Sequence, residues 1–183
     1  MDRTQRNQMT LKQRLEFRKF KMLKLMVMYL QQIPLFGKYC FYGCYCFPNM
    51  GQDFTVGKGK PMDEVDAKCR DFSSCYKCLG IDYKGSCSHT QPYSFEGRED
   101  PVTKKRYLVC SKFIKAYVRK KIVKSPAIVE NKPGTCRRSL CECDKKLSED
   151  LSEAQWHWQP LYHKNWGGFD SQAFCRSDTN DSA

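Results

Sequence analysis

Residues 59–76 read Gly59-Lys60-Pro61-Met62-Asp63-Glu64-Val65-Asp66-Ala67-Lys68-Cys69-Arg70-Asp71-Phe72-Ser73-Ser74-Cys75-Tyr76, and a shorter stretch, Tyr42-Gly43-Cys44-Tyr45-Cys46, precedes them. Pro61 suits the first turn of a helix, and Asp63 and Glu64 favour the positive end of its dipole. From there Met62, Val65, Cys69, Phe72, Tyr76 and Leu79 recur every three or four residues, and Gly80 supplies a stop. Phe72 therefore falls on the buried stripe of a helix. Downstream, Cys136-Arg137-Arg138-Ser139-Leu140-Cys141-Glu142-Cys143-Asp144-Lys145 opens a second helical pattern. It is expected to begin near Ser139, with Glu142 completing a capping box. Leu140, Cys143, Leu147, Leu151, Ala154 and Trp158 form its inner stripe, and Pro160 lies beyond its end.

Outward from these helices the chain is less regular. Residues 1 to 38 predict an amphipathic helix carrying Leu11, Leu15, Met22, Leu25, Met26 and Tyr29 at helical spacing, ended before Pro34. Residues 81 to 135, punctuated by Gly, Ser and Pro, hold Tyr107-Leu108-Val109 and Ile122-Val123 and predict a small antiparallel hairpin. At 183 residues the length suits about one domain. The expected division is a basic, partly disordered extension over 1–20, a folded domain over 21–176 and a disordered tail over 177–183.

Two separated motifs carry a family resemblance. The first resembles the calcium loop and active-site helix of secreted phospholipases A2, Tyr-Gly-Cys-Tyr-Cys-Gly followed by Gly-x-Pro-x-Asp-x-x-Asp-x-Cys-Cys-x-x-His-Asp-x-Cys-Tyr. The second resembles that family's Cys-x-x-x-x-Cys-x-Cys-Asp-Arg on the antiparallel partner helix. The resemblance implies a mainly α fold: two long antiparallel disulfide-linked helices, an N-terminal helix and a small β-wing. Aligned without a gap from Gly59, the family's catalytic His falls on Phe72 and its calcium-binding Asp on Ser73. Phe cannot accept a proton from water, and a neutral hydroxyl is a poor ligand for a hard cation. The chain thus resembles a catalytically degenerate, otoconin-type member.

The resemblance also implies pairings for the twelve cysteines. They are Cys44–Cys175, Cys46–Cys69, Cys75–Cys143, Cys87–Cys136 and Cys110–Cys141, with the last two open to exchange, and Cys40–Cys78 is left as a sixth pair. One family bridge loses both halves, at Lys68 and Asp150, which predicts an ion pair across the two helices. Zinc binding by the close cysteine pairs is the competing reading. Disulfides require an oxidising compartment, yet Met22–Leu30 is interrupted by Lys24 and is a poor signal peptide. A fragment of a secreted protein, a domain of a larger one and a cytosolic protein with reduced thiols all remain compatible with that.

Tyr76 and Asp144 fall on positions that orient the family's catalytic His, and Tyr93 is a candidate for a further network tyrosine. The degraded calcium loop places its carbonyls at Tyr45, Phe47 and Asn49, so no cofactor is expected, although Asp53 is a possible substitute ligand. None of the histidines, His89, His157 and His163, lies on the active-site helix. The net charge of +12 is uneven. Lys104, Lys105, Arg106, Arg119, Lys120, Lys121, Arg137 and Arg138 predict a basic face for an anionic phospholipid surface, acidic glycan or acidic protein. Nucleic acid is not expected, because no recognition motif is present. Trp156, Trp158, Trp166, Phe169 and Phe174 are candidate aromatic anchors. The leading expectation is a secreted, inactive phospholipase A2-like protein binding an anionic partner. The alternatives are an active calcium-dependent phospholipase A2 with relocated catalytic groups and a structural matrix module of a larger secreted precursor.

Overall fold

A computed structural model describes residues 9–49, 53–110, 113–118, 121–129 and 134–176, with backbone alone for 113–118 and 121–129. Helix α1 spans Leu11–Leu30, and Thr10 and Gln13 close a capping box at its start. Residues 11–20, expected in the extension, are therefore helix, and Lys19 within them is buried. The rest of that extension, 1–8, and the expected tail, 177–183, lie outside the described residues.

Helix α2, Glu64–Asp82, is capped by Asp63, whose side chain accepts the Asp66 N–H. It runs through Gly80, which was expected to stop it. A Cβ there would meet nothing within 4 Å, and the helix closes instead at Tyr83. Helix α3, Cys136–Ala154, starts a turn earlier than expected because Thr135 caps the Arg138 N–H. Ser139 instead meets the Tyr83 hydroxyl at 3.0 Å. That contact joins the end of α2 to the start of α3, and His157, beyond α3, lies 3.4 Å from Glu64 at the start of α2. The two long helices are therefore antiparallel.

Strands β1 (Phe95–Glu99) and β2 (Arg106–Cys110) pair antiparallel, as do β3 (Phe113–Val118) and β4 (Lys121–Val129). The expected single hairpin is thus two separate two-stranded sheets. Gly97 on β1 is needed where the Tyr29 ring of α1 approaches, since a Cβ there would lie 2.6 Å from it. Short helices α4 (Lys164–Gly167) and α5 (Ser171–Phe174) follow among the described residues. The core lies between α1, α2 and α3, with Leu23, Met26, Val27, Val65, Tyr76, Leu140 and Leu151 fully buried.

Five disulfides close, Cys44–Cys175, Cys46–Cys69, Cys75–Cys143, Cys87–Cys136 and Cys110–Cys141. The expected sixth, Cys40–Cys78, does not form. Cys40 is buried among core residues, whereas Cys78 is exposed on α2. The expected Lys68–Asp150 pair is also absent, because Asp150 is taken by Lys146 one turn earlier on its own helix. No helix among the described residues is long and apolar enough to cross a membrane.

Candidate functional site

The turn before α2 is built around one carboxylate. Asp66 is fully buried and accepts the N–H groups of Cys44 at 2.8 Å, Tyr45 at 2.8 Å and Met62 at 3.0 Å. Burial raises its pKa, and these backbone donors oppose the rise. Gly43 is required here, with φ +57° and a Cβ position 2.3 Å from Asp66 Cγ. The Tyr42 hydroxyl donates to Asp63 and accepts the Gln159 N–H at 3.0 Å. This clamp fixes where the following loop meets α2.

On α2, Phe72 is 5% exposed and its ring packs against Phe47 at 6.3 Å, Phe54 at 5.7 Å and Tyr76 at 4.8 Å. Phe20 and Phe36 extend the cluster through Phe47 at 5.6 and 5.4 Å. Aromatic rings thus fill the space around position 72. Ser73 is 2% exposed, and its Oγ has no hydrogen-bond partner. Phe47 adopts a left-handed backbone, φ +47°, and its carbonyl accepts the Phe41 N–H at 3.4 Å. The Asn49 side chain accepts from Asp53 N–H at 3.4 Å, and Asp53 is exposed and accepts from Thr55 at 2.8 and 2.7 Å. Position 73 thus offers a neutral hydroxyl where a hard cation prefers a carboxylate, and the Phe47 carbonyl shares its oxygen with a backbone N–H. Among the described residues no group of three or more His, Cys, Asp or Glu side chains is arranged to hold a metal ion.

Across from Tyr76, α3 presents Asp144, which is fully buried. It accepts from the Tyr76 hydroxyl at 2.5 Å and from the Tyr93 hydroxyl, and it pairs with Lys19 Nζ of α1 at 2.9 Å. The ammonium also sits over the Tyr93 ring at 4.1 Å and the Tyr76 ring at 5.3 Å. Desolvation lowers the Lys19 pKa from 10.5 to about 8, against the pull of Asp144. Burial first, and Asp144 second, push both tyrosines well above their ordinary range. The carboxylate that would orient a histidine is therefore occupied by a cation from α1. Sequence reading missed Lys19. Its signal was position, since Leu15, Lys19, Met22 and Met26 share one helical face.

Of the three histidines, His89 alone reaches this cluster, its ring 5.0 Å from that of Tyr76. Burial lowers its pKa, the Asp53 carboxylate raises it and Lys19 lowers it. His163 is structural: its Nδ1 accepts the N–H groups of Asn165 at 3.1 Å and Trp166 at 3.3 Å.

The expected basic face is only partly a surface. Lys104, Lys105 and Arg106 are exposed at the β1–β2 turn. Arg138, in contrast, donates to Glu142 at 2.7 Å and to the Cys110 carbonyl at 2.8 Å. Arg137 stands beside it at the start of α3. Arg119 and Lys120 lie outside the described residues, and Lys121 opens β4. Of the candidate anchors, Trp156, Trp166 and Phe174 are exposed, while Phe169 is buried and Trp158 donates to the Lys38 carbonyl at 2.8 Å.

No family model matches the chain. Individual relatives do. The chain is 26% identical to the basic phospholipase A2 beta-bungarotoxin A1 chain of Bungarus candidus over 141 residues, 76% of this chain and 74% of that one. It is equally identical to the A2 chain of Bungarus multicinctus and the A1 chain of Bungarus flaviceps flaviceps, covering 70% and 68% of them. The likeness runs along 76% of this chain, and a mainly helical fold closed by five disulfides fits a secreted phospholipase A2-like superfamily.

Proposed function

We propose that the protein is a secreted, catalytically inactive phospholipase A2-like binding protein that holds no calcium and engages an anionic partner through exposed basic residues. The observation that carries the loss of catalysis is the pairing of Asp144 with Lys19 beside Tyr76, whose ring packs on the buried Phe72. Water at that position would meet no base, and the carboxylate that would steer one is neutralised. Five disulfides support secretion. The exposed Lys104 and Lys105 and the net charge of +12 support an anionic phospholipid surface as partner, ahead of an acidic glycan or receptor. The test is fatty-acid release from phosphatidylserine-containing vesicles at saturating calcium, with vesicle co-sedimentation measured alongside. Co-sedimentation without release is expected. Release above background overturns the inactive reading, and absence of co-sedimentation overturns the lipid partner.

A second reading rests on His89, whose ring abuts Tyr76 and whose titration responds to Asp53. In it, His89 acts as a relocated base. If release is observed, His89→Ala abolishes it under this reading and leaves it unchanged otherwise.

A further inference from the structure

Runs of neighbouring basic residues that end in arginine occur twice in the chain, at Lys104-Lys105-Arg106 and at Arg137-Arg138. The fold treats them oppositely. Arg137 and Arg138 lie in the first turn of α3, next to the Cys87–Cys136 disulfide, and Arg138 is held by Glu142 and by the Cys110 carbonyl. Residues 101–107, in contrast, are exposed without interruption, the longest such run among the described residues. They form the turn that follows β1 and the first two residues of β2. A groove of about 860 Å³ lies between residues 104–107 and the second half of α3, so this tip stands clear of the helix.

An endoprotease takes its substrate as an extended strand, so an exposed tip is cut only where its backbone can open. Here the bonds that close the tip are local. Asp100 N–H donates to the Lys105 carbonyl and Lys104 N–H to the Asp100 carbonyl, each at 2.9 Å. The Asp100 carboxylate accepts the Val102 and Thr103 N–H groups. All four bonds lie at the end of a two-stranded sheet, where water can replace them. Lys104 has a left-handed backbone, φ +58°, and extending it removes the strain that a side chain carries in that region. Arg106 touches the Tyr29 carbonyl at 3.3 Å and Glu99 at 3.9 Å, yet its side chain stays half-exposed. Opening stops further along β2, because Leu108 is buried and Cys110 is bridged to Cys141.

We propose that the Arg106–Tyr107 peptide bond is a processing site for a serine endoprotease of the secretory route that cuts after paired basic residues ending in arginine. The Arg106 guanidinium suits an acidic specificity pocket, a fork of donors on a carboxylate, and Lys105 meets a second acidic subsite. The protease's serine oxygen bonds to the Arg106 carbonyl carbon and the C–N bond to Tyr107 breaks. The leaving amine takes the serine's proton through the protease's histidine, and water then releases Arg106 as a carboxylate. No fragment leaves the protein. Cys44–Cys175, Cys75–Cys143 and Cys87–Cys136 each join residues before the cut to residues after it. The product is a two-chain, disulfide-linked protein with Lys104, Lys105 and Arg106 at a free chain end. Such a protease meets this chain only if the chain is secreted, so the site rests on that part of the proposed function.

The experiment incubates the full, disulfide-intact chain with a recombinant subtilisin-like endoprotease that cuts after Lys-Arg and Arg-Arg, and identifies the products by N-terminal sequencing and mass. The first new N-terminus is expected to read Tyr107-Leu108-Val109. Without reductant the product stays one species, heavier than the intact chain by one water, and reduction separates residues 1–106 from 107–183. Arg106→Gln is expected to slow this cut at least about 100-fold, since the charged pocket then meets no cation. A first cut after Arg138 or within residues 111–135 overturns the proposal, and so does a cut after position 106 that Arg106→Gln leaves at its original rate. A folded chain that stays intact while the reduced, unfolded chain is cut after Arg106 also overturns it, because the tip then fails to open.

Discussion

Lys19 is the residue on which the inactive site turns, and it is an expensive one to bury. An ammonium taken out of water is destabilised unless paired, and a buried pair often no more than breaks even. Here the depression of its pKa from 10.5 to about 8 corresponds to about 3 kcal/mol of folding stability. The sign follows from proton counting. Between about pH 8 and 10.5 the unfolded chain keeps the Lys19 proton more fully than the folded one, so stability rises with pH across that window. Below it the whole cost is present. Thermal denaturation of protein with its free thiols blocked should therefore show a higher Tm at pH 9.5 than at pH 7.5. The groups facing Lys19 are Asp144, Tyr76, Tyr93 and His89. The two tyrosines are held well above their ordinary range and His89 below its own, so none of these three titrates in the window. In Lys19→Met the alkaline gain should vanish, and a gain of equal size in that variant would assign it elsewhere.

At the scale of elements, the Tyr42–Cys46 turn and α2 behave as one unit through Asp66. Gly43→Ala forces a side chain into a left-handed residue and against the carboxylate that holds the turn. The conformational cost of about 1–2 kcal/mol and the weakening of charge-assisted hydrogen bonds predict a loss of about 3 kcal/mol, read by urea denaturation. A loss under about 1 kcal/mol would mean that the turn relaxes freely and that Asp66 does not clamp it. The residue types at this junction were legible before any coordinates. Asp63 and the spacing from Val65 to Leu79 mark α2, because caps and periodicity are local, whereas Pro61 and Met62 lie before the cap and not in the first turn. What escaped was set by tertiary context. Gly80 does not stop α2, since a glycine in a helix costs only about 1 kcal/mol and packing carries the chain past it. Ser139 does not cap α3, because Thr135 offers its hydroxyl a turn earlier. Asp150 finds Lys146 on its own helix before it can find Lys68, as spacing of four residues favours. Lys19 escaped because no local rule announces a buried partner 125 residues away.

Over the whole molecule, the question is which basic residues are available to a partner and which are spent on the fold. Arg138 belongs to the second group: it ties α3 to β2 through the Cys110 carbonyl, beside the Cys110–Cys141 disulfide. Lys104 and Lys105 belong to the first, at a turn where Lys104 takes a left-handed backbone, φ +58°, and Asp100 accepts the Val102 and Thr103 N–H groups. A turn fixed in this way presents its two lysines without much ordering on binding. Each lysine near an anionic membrane contributes about 1 kcal/mol, so Lys104→Ala/Lys105→Ala should weaken co-sedimentation with phosphatidylserine vesicles by about 30-fold. The same loss should appear in the wild type as salt is raised, because screening shortens the reach of exposed charges to about 8 Å at physiological ionic strength. Arg138→Ala should do the reverse, lowering Tm with little change in vesicle affinity, since its guanidinium is already held by Glu142 and the Cys110 carbonyl. If Arg138→Ala instead weakens vesicle binding as much as the lysine pair does, the anionic surface reaches from the β1–β2 turn to the start of α3. Arg138 would then serve both the fold and the partner.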